Sequence, residues 1–301
     1  MATLQQRLTA GDTLIIDGGT GTELEKRGAV MDGEAWVGAT MQTAPDMIRK
    51  IHRDFIEAGA DIIIANTYAA APHVLKYAGF SLEEALELNR LACRLAHEAV
   101  VEAAVDRNVY VAGSLSSFRA GLDLDKLPDE AEAQASYTAQ VDALVGEGCD
   151  LLIAEMLLDN EVSPICARAT VTSGLPAWLG LSARLGDDGT VMGFSRRQVL
   201  PFEDVMEVCL LDDAQAAGIM HSDVEATRPA LEALKARWSG PLFAYAHSGD
   251  FIMPHWQFET VISPSDYADE ARTYTAMGVS AVGGCCGLGP EHIASVGKVL
   301  S

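Results

Sequence analysis

Short apolar runs alternate eight times with longer amphipathic stretches along this chain of 301 residues. Each run is apolar on both faces, as expected of a parallel strand that is covered on both sides. The predicted strands are 13–17, 61–66, 109–114, 150–155, 177–182, 215–220, 242–246 and 279–283. Eight strand-helix units predict an α/β fold, a single (β/α)8 TIM barrel that spans residues 1–301 as one domain. An open doubly wound sheet is the alternative, because alternation alone does not prove closure.

The segments between these runs repeat their apolar positions with a period near 3.6 residues, which predicts helices. The predicted helices are 45–58, 82–105, 129–146, 159–173, 202–210, 226–238, 265–277 and 290–300. Three longer loops, 18–44, 114–128 and 247–264, follow the first, third and seventh predicted strands. Barrel enzymes place their chemistry at this end of the strands, so we expect these loops to surround the active site.

The charge of the chain narrows its class of partner. The formal net charge is −22, which disfavours contact with nucleic acid phosphates or an anionic membrane surface. Small molecules are the expected partners, and the oligomeric state is left open. The first residues lack a basic start followed by an apolar core, and no apolar run approaches the roughly 20 residues that span a bilayer. These features predict a cytoplasmic protein.

Six cysteines divide into four single residues and one adjacent pair. Scattered single cysteines are typical of a reducing compartment, and we expect these four to be inert buried thiols. They are Cys93, Cys149, Cys166 and Cys209. The pair Cys285-Cys286 lies in a glycine-rich turn directly after the eighth predicted strand. In such a turn both sulfurs can face one side and bind a soft metal such as zinc as thiolates.

His221 is the candidate third ligand, because it ends the sixth predicted strand and strand ends meet at one face of a barrel. An isolated histidine is more often structural, but two nearby thiolates favour the ligand role. A Cys2His zinc site leaves a fourth tetrahedral position for a substrate atom. A substrate thiol placed there would lose its proton near neutral pH and become a nucleophile. The residues therefore predict methyl transfer to sulfur.

Two acidic residues at strand ends are candidates for holding an amino group. Asp17 precedes the turn Gly18-Gly19, whose glycines allow left-handed backbone angles and close approach by a ligand. Glu155 ends an apolar run, where an unpaired charge would be costly to bury. A carboxylate beside exposed backbone amides suits a zwitterion, with its ammonium at the acid and its carboxylate at the amides.

Taken together, these residues resemble those of the homocysteine S-methyltransferase family of zinc-dependent barrels. The resemblance covers nearly the whole chain. It rests on the segments 17–24, 58–61, 66–68, 112–114, 283–287 and 290–293 together with Glu155. The resemblance implies that Cys285 and Cys286 are zinc ligands, and that Asp17 and Glu155 act in catalysis by holding the amino group of homocysteine.

The resemblance also implies a substrate-binding set. Gly18 and Gly19 would lie near the carboxylate of homocysteine, and Ser114 belongs to a matching segment. Trp36 and Tyr68 fall where members with cationic methyl donors have aromatic residues. An aromatic face attracts a sulfonium or quaternary ammonium by about 0.5 to 2 kcal/mol. Simple packing at the barrel rim is the alternative for these two rings.

Several residues depart from the family pattern. His221 stands where the family has a third cysteine, which makes the site less negative by one charge and a bound thiolate a poorer nucleophile. Met220, Met156 and the segment 115–118 differ at the same face. These changes leave two alternatives open, a hydrolase or lyase in which zinc activates water and a non-catalytic thiol- or metal-binding homologue. The methyl donor is not identified, and a folate donor is least expected.

Overall fold

A computed structural model describes residues 2–195 and 199–300 of the protein. Its strands, in chain order, are β1 Leu14–Ile15, β2 Ile62–Ile64, β3 Tyr110–Ser116, β4 Leu151–Leu157, β5 Ala177–Leu181, β6 Ala183–Leu185, β7 Val191–Gly193, β8 Ala216–Asp223, β9 Leu242–His247, β10 Asp250–Ile252, β11 His255–Gln257 and β12 Val279–Gly284. The helices are α1 Leu4–Ala10, α2 Thr20–Lys26, α3 Thr40–Thr43, α4 Pro45–Glu57, α5 Pro72–Leu75, α6 Leu82–Ala103, α7 Glu130–Gly146, α8 Ser163–Val171, α9 Phe202–Cys209, α10 Val224–Lys235, α11 Pro264–Ala276 and α12 Pro290–Leu300. Short 3-10 turns lie at Lys76–Ala78, Ala120–Leu122 and Leu124–Lys126.

Eight of the strands form a parallel barrel. Their order in the sheet is β1-β12-β9-β8-β5-β4-β3-β2. A parallel bridge between Ile16 and Ile62 joins the two ends of this order and closes the barrel. The predicted fold class is therefore confirmed, and all eight predicted strands and eight predicted helices are present with shifts of a few residues at their ends.

The helices cover the barrel through apolar stripes. On α4, Ile48, Ile51, Phe55 and Ile56 are fully buried and share one face at helical spacing. At the opposite end from the long loops, α1 buries Leu4 and Leu8 across the strand starts. Each such side chain contributes about 1.5–3 kcal/mol when it leaves water. Helix α1 therefore covers one end of the barrel and leaves the carboxyl ends of the strands as the open end.

Two short antiparallel hairpins at the open end were not predicted. Strands β6 and β7 pair after β5, and β10 and β11 pair after β9. The predicted loops 18–44 and 114–128 contain the short helices α2 and α3 and two of the three 3-10 turns. These pieces surround the strand ends that carry the candidate residues. Across residues 2–195 and 199–300, no helix has both the length and the apolar composition needed to cross a bilayer.

Candidate active site

A small cavity of about 50 Å³ lies at the open end of the barrel axis, and we call it the inner cavity. It is lined by strand-end and turn residues, among them Gly18, Gly19, Trp36, Tyr68, Glu155, His221, Tyr245, Cys285 and Cys286. Of the predicted site residues, only Asp17 and Ser114 are not among its lining residues. Asp17 lies directly behind the cavity wall, where it is hydrogen-bonded to the lining residue Tyr245. The Ser114 hydroxyl is buried and makes no hydrogen bond to the described residues.

The imidazole of His221 and the thiol pair meet at this cavity. His221 Nδ1 lies 3.1 Å from Cys285 Sγ, and the two sulfurs of Cys285 and Cys286 are 3.6 Å apart. All three side chains are buried. Burial raises the pKa of the Cys285 thiol well above its usual value, so the thiol keeps its proton unless a cation lies beside it.

Backbone irregularities in β4 and β8 bring the side chains of Glu155 and His221 together across this cavity. The pairing register shifts between Ala154 and Leu157 in β4, and between Met220 and Asp223 in β8. Within these shifts Met156 has a φ of 54° and His221 has a φ of 50°. Left-handed backbone angles cost a non-glycine residue about 1–2 kcal/mol, and such strain clusters at functional sites.

Glu155 contacts the other nitrogen of the same imidazole. Its Oε2 lies 2.7 Å from His221 Nε2, although β5 separates the two strands in the sheet. Its second oxygen, Oε1, is buried and has no hydrogen-bond partner among the described residues. The indole nitrogen of Trp36 is also buried without a partner there. Buried polar groups are normally paired, so one free acceptor and one free donor on the lining side chains suit a ligand that carries both kinds of group.

The side chain of Asp17 is completely buried. Its Oδ2 accepts the amide of Ile64 at 2.8 Å, and its Oδ1 accepts the Tyr245 hydroxyl at 3.1 Å. Burial raises the pKa of Asp17 well above its ordinary value, and these two hydrogen bonds only partly oppose that effect. No cation of the described residues pairs with Asp17, so an ammonium group of a ligand would supply the missing charge.

The glycines of the turn serve close packing rather than left-handed angles. Neither Gly18 nor Gly19 has a positive φ, so the turn does not use the left-handed angles that glycine allows. A Cβ on Gly18 would lie 2.4 Å from the Leu288 carbonyl oxygen, and one on Gly19 would lie 2.6 Å from that of Cys285. The Gly19 amide already donates to Leu288, which leaves the Gly18 amide as the member of the pair that can reach a ligand.

The donor atoms of the inner cavity suit zinc, which prefers thiolate sulfur and imidazole nitrogen. Across residues 2–195 and 199–300, no group of three or more histidine, cysteine, aspartate or glutamate side chains already has the arrangement of a metal site. Tetrahedral zinc bonds would separate nitrogen from sulfur by about 3.6 Å and two sulfurs by about 3.8 Å. The distances here are 3.1 and 3.6 Å, because the side chains hydrogen-bond to one another. A widening of about half an ångström reaches ligand separations, so the residues fit the metal.

A larger cavity of about 510 Å³ opens from the inner one towards solvent, and we call it the outer cavity. Trp36, Tyr68, His221 and Cys286 line both cavities. The outer cavity is further lined by aromatic side chains and by charged side chains of both signs, which include Phe118, Phe194, Phe251, Trp256, Arg119, Arg184, Asp223 and Asp250. The Trp36 ring meets Phe251 edge-on with centroids 5.3 Å apart, and Tyr68 lies 4.9 Å from the His221 ring. This cavity can therefore surround a positively charged group with aromatic faces.

Sequence reasoning missed three contributors to this region. Tyr245 was predicted only as a strand residue, yet its hydroxyl lies 2.9 Å from the Gly18 carbonyl oxygen and 3.1 Å from Asp17 Oδ1, so its single proton is shared between these two acceptors. Phe251 and Trp256 lie on the β10-β11 hairpin, within the loop 247–264, which is one of the three that we expected to surround the active site. Residues 251–254 are all apolar and show no strand-like alternation, so Pro254 between the two short strands was the available signal, and it marks only a turn.

Comparisons with known proteins point to one family. The model of the homocysteine S-methyltransferase family matches residues 14–300. The chain is 28% identical to a selenocysteine methyltransferase of Astragalus bisulcatus over 97% of this chain and 94% of that protein. It is 29% identical to betaine-homocysteine S-methyltransferase 1 of Danio rerio over 98% and 75% of the two chains. The metallated form of the homocysteine methyltransferase MmuM from Escherichia coli superposes with a TM-score of 0.75 at 26% identity, covering 95% and 96% of the two chains.

Proposed function

The chain belongs to the homocysteine S-methyltransferase family, and from that premise we propose how its two cavities carry out methyl transfer to a thiol. The acceptor is homocysteine or a related thiol amino acid, and the methylated product of homocysteine is methionine. The donor is a small onium compound. The observation that carries this proposal is the meeting of His221 and the thiol pair beside an unpaired carboxylate oxygen of Glu155.

A metal is expected from the family, and a solved relative has a metallated form. We propose that the metal is zinc and that His221, Cys285 and Cys286 hold it, because two sulfurs and one imidazole nitrogen are donors typical of zinc. When bound, zinc would lower the pKa of a substrate thiol and so supply a thiolate near neutral pH. It would also supply the positive charge that buried thiolates need.

The amino acid end of the acceptor binds to the buried carboxylates. Its ammonium group pairs with Asp17 and with the free Oε1 of Glu155. Its carboxylate accepts hydrogen bonds from the unpaired indole nitrogen of Trp36 and from the Gly18 amide. These contacts fix the orientation of the acceptor, so its sulfur points towards the thiol pair rather than back into the barrel.

The onium donor binds in the outer cavity. Trp36, Phe251 and Tyr68 present aromatic faces there, and a sulfonium or quaternary ammonium gains about 0.5–2 kcal/mol from such faces. Because Trp36, Tyr68, His221 and Cys286 line both cavities, the methyl group reaches the acceptor sulfur across this shared wall. The chain contributes alignment of sulfur with the methyl carbon and exclusion of water, and no general base is needed during the transfer.

A donor screen tests this function. The purified zinc-loaded protein is incubated with homocysteine and with onium compounds that carry a carbon-13 methyl group, including S-methylmethionine, glycine betaine, dimethylsulfoniopropionate and S-adenosylmethionine. We expect labelled methionine from at least one donor and none from the Cys286→Ala variant. Binding of homocysteine without methyl transfer from any donor would contradict the proposed reaction.

The cellular setting belongs to the same proposal. All six cysteines are free thiols, and a thiol-dependent site is best preserved in a reducing compartment, so we place the protein in the cytoplasm. The net charge of −22 supports small molecules rather than nucleic acid as partners. The whole chain of 301 residues acts as one barrel domain in this account.

A further inference from the structure

Glu155 touches two different parts of the site with its two oxygens. Oε2 lies 2.7 Å from His221 Nε2, and the other nitrogen of that ring, Nδ1, faces Cys285 Sγ at 3.1 Å. Oε1 has no partner among the described residues. Both side chains are buried, with Glu155 3% and His221 8% exposed. One carboxylate therefore lies between the imidazole and the space for the acceptor.

This arrangement selects one tautomer of the imidazole. An ionised carboxylate only accepts hydrogen bonds, so the ring proton belongs on Nε2, where it is donated to Glu155 Oε2. Nδ1 then presents its lone pair to Cys285 Sγ, which lies 3.1 Å away. The Tyr68 ring packs 4.9 Å from the imidazole at 31° and restricts its rotation. The nitrogen that faces the thiol pair is thus the one that can bind a metal.

A cysteine in place of His221 would need no such partner, because a thiolate has a single donor atom and no tautomers. A histidine does need one, since one of its two neutral tautomers carries the proton on Nδ1 and would direct an N–H towards the thiols. Carboxylates that accept a hydrogen bond from the ring N–H of a ligating histidine typically raise metal affinity 10–100-fold.

We propose that Glu155 is a positioning residue for His221, which holds the ring with Nδ1 towards the metal while its other oxygen binds the acceptor ammonium. This inference rests on the proposed function for the identity of the metal and the acceptor. It joins the metal site and the amino-group site through one side chain. Asp17, the other acidic residue proposed to bind the ammonium, has its hydrogen bonds with Ile64 and Tyr245 rather than with His221, so it would serve the acceptor alone.

The proposed roles of the two Glu155 oxygens can be distinguished by measuring zinc affinity, through competition with a chromophoric chelator. Glu155→Leu removes both, and we expect zinc affinity to fall 10–100-fold. Glu155→Gln keeps a neutral acceptor for Nε2–H, so zinc affinity should fall less than about fivefold although acceptor affinity is lost. Asp17→Asn is the matched control and should leave zinc affinity unchanged. Circular dichroism and melting temperature check that each variant folds.

The decisive comparison repeats Glu155→Leu in a His221→Cys background. There the ligand is a sulfur that needs no orientation, so the same substitution should change zinc affinity less than about threefold. An equal loss in both backgrounds would overturn the proposal, because Glu155 would then act without His221. No loss in the native background would overturn it as well.

A second measurement requires no metal. Nitrogen-15 spectra of the histidine-labelled, metal-free protein report which ring nitrogen of His221 carries the proton, with His221→Cys identifying the signal. We expect the proton on Nε2, and a proton on Nδ1 would overturn the proposal. If no donor supports methyl transfer but these patterns hold, the proposed function fails and the role of Glu155 stands. If methyl transfer occurs and the proton lies on Nδ1, the reverse is true.

Discussion

The inner and outer cavities share a wall but are built from different parts of the fold. Glu155, His221 and the Cys285-Cys286 pair stand at or directly after barrel strands, where the sheet fixes their positions. Phe251, Trp256 and Phe118 of the outer cavity come from a hairpin and a loop. In the proposed function, thiol activation and the ammonium contacts would therefore rest on residues at rigid strand ends, whereas donor binding would rest mainly on segments that can change without disturbing the proposed metal ligands.

The largest effect that tests this division comes from the thiol pair. Cys285→Ala should abolish stoichiometric zinc binding and lower kcat/KM by about 10³ or more, since a metal supplies several kcal/mol to thiol activation. Donor affinity, measured by calorimetry, should remain within about twofold. Cys209→Ala is the matched control, because that thiol is also buried but belongs to α9. A Cys285→Ala variant that still binds zinc and remains active would contradict the proposal that the inner cavity holds the metal.

The next effect separates the acceptor from the donor. Asp17→Asn keeps the hydrogen bonds with Ile64 and Tyr245 within reach but removes the charge that faces the ammonium. A hydrogen bond to a charged group contributes about 1.5–3 kcal/mol, so we expect the KM for homocysteine to rise about 10- to 100-fold. The KM for the donor should stay unchanged. Equal increases for both substrates would show that the two cavities are not independent.

The pH dependence of acceptor binding sharpens the same point. Burial raises the pKa of Asp17, so below that raised pKa the group is neutral and lacks the charge that attracts an ammonium. Affinity for an amino acid should therefore increase with pH, by at most about tenfold per unit, until Asp17 is ionised. Methionine, measured as a competitive inhibitor, avoids the ionisation of a substrate thiol. The slope should flatten in Asp17→Asn, and an unchanged slope in that variant would assign the titration to another group.

The smallest effect is expected at the aromatic wall of the outer cavity. Phe251→Leu removes one face that an onium charge can approach, which should raise the donor KM about two- to fivefold and leave the acceptor KM unchanged. Phe258→Leu is the control, since Phe258 follows the same hairpin but does not line either cavity. The affinity of a neutral thioether analogue should not change in either variant. A loss of affinity for that neutral analogue equal to the loss for the onium would indicate packing instead of charge.

Much of the inner cavity could be predicted because the positions of its residues follow from the apolar pattern of the strands and the geometry of a parallel barrel. Apolar runs of strand length locate the strands, and the ends of parallel strands meet at one face, which brings His221 and Cys285 together. The roles of these residues as zinc ligands, and of Asp17 and Glu155 at the acceptor, stay predictions. The contact between Glu155 and His221 could not be foreseen, because it spans β5 and depends on irregularities in two strands.

Most residues that line the outer cavity could not be predicted from the sequence. Phe251 and Trp256 belong to strands of three residues each, too short for a pattern to be distinguished from a loop. The position of Phe251 beside Trp36, and of Trp256 beside Phe251, depends on how the hairpin folds over the barrel mouth. Tyr245 was missed for another reason, since a tyrosine in a buried strand is read as packing unless the partner of its hydroxyl is known.

X-ray absorption at the zinc edge of the purified, zinc-loaded protein tests the central claim most directly. We expect about two sulfur neighbours near 2.3 Å and one imidazole nitrogen near 2.0–2.1 Å, with the imidazole signal replaced by a third sulfur in His221→Cys. A spectrum without imidazole in the native protein, or one that His221→Cys leaves unchanged, would contradict the claim that His221 and the thiol pair hold one metal ion.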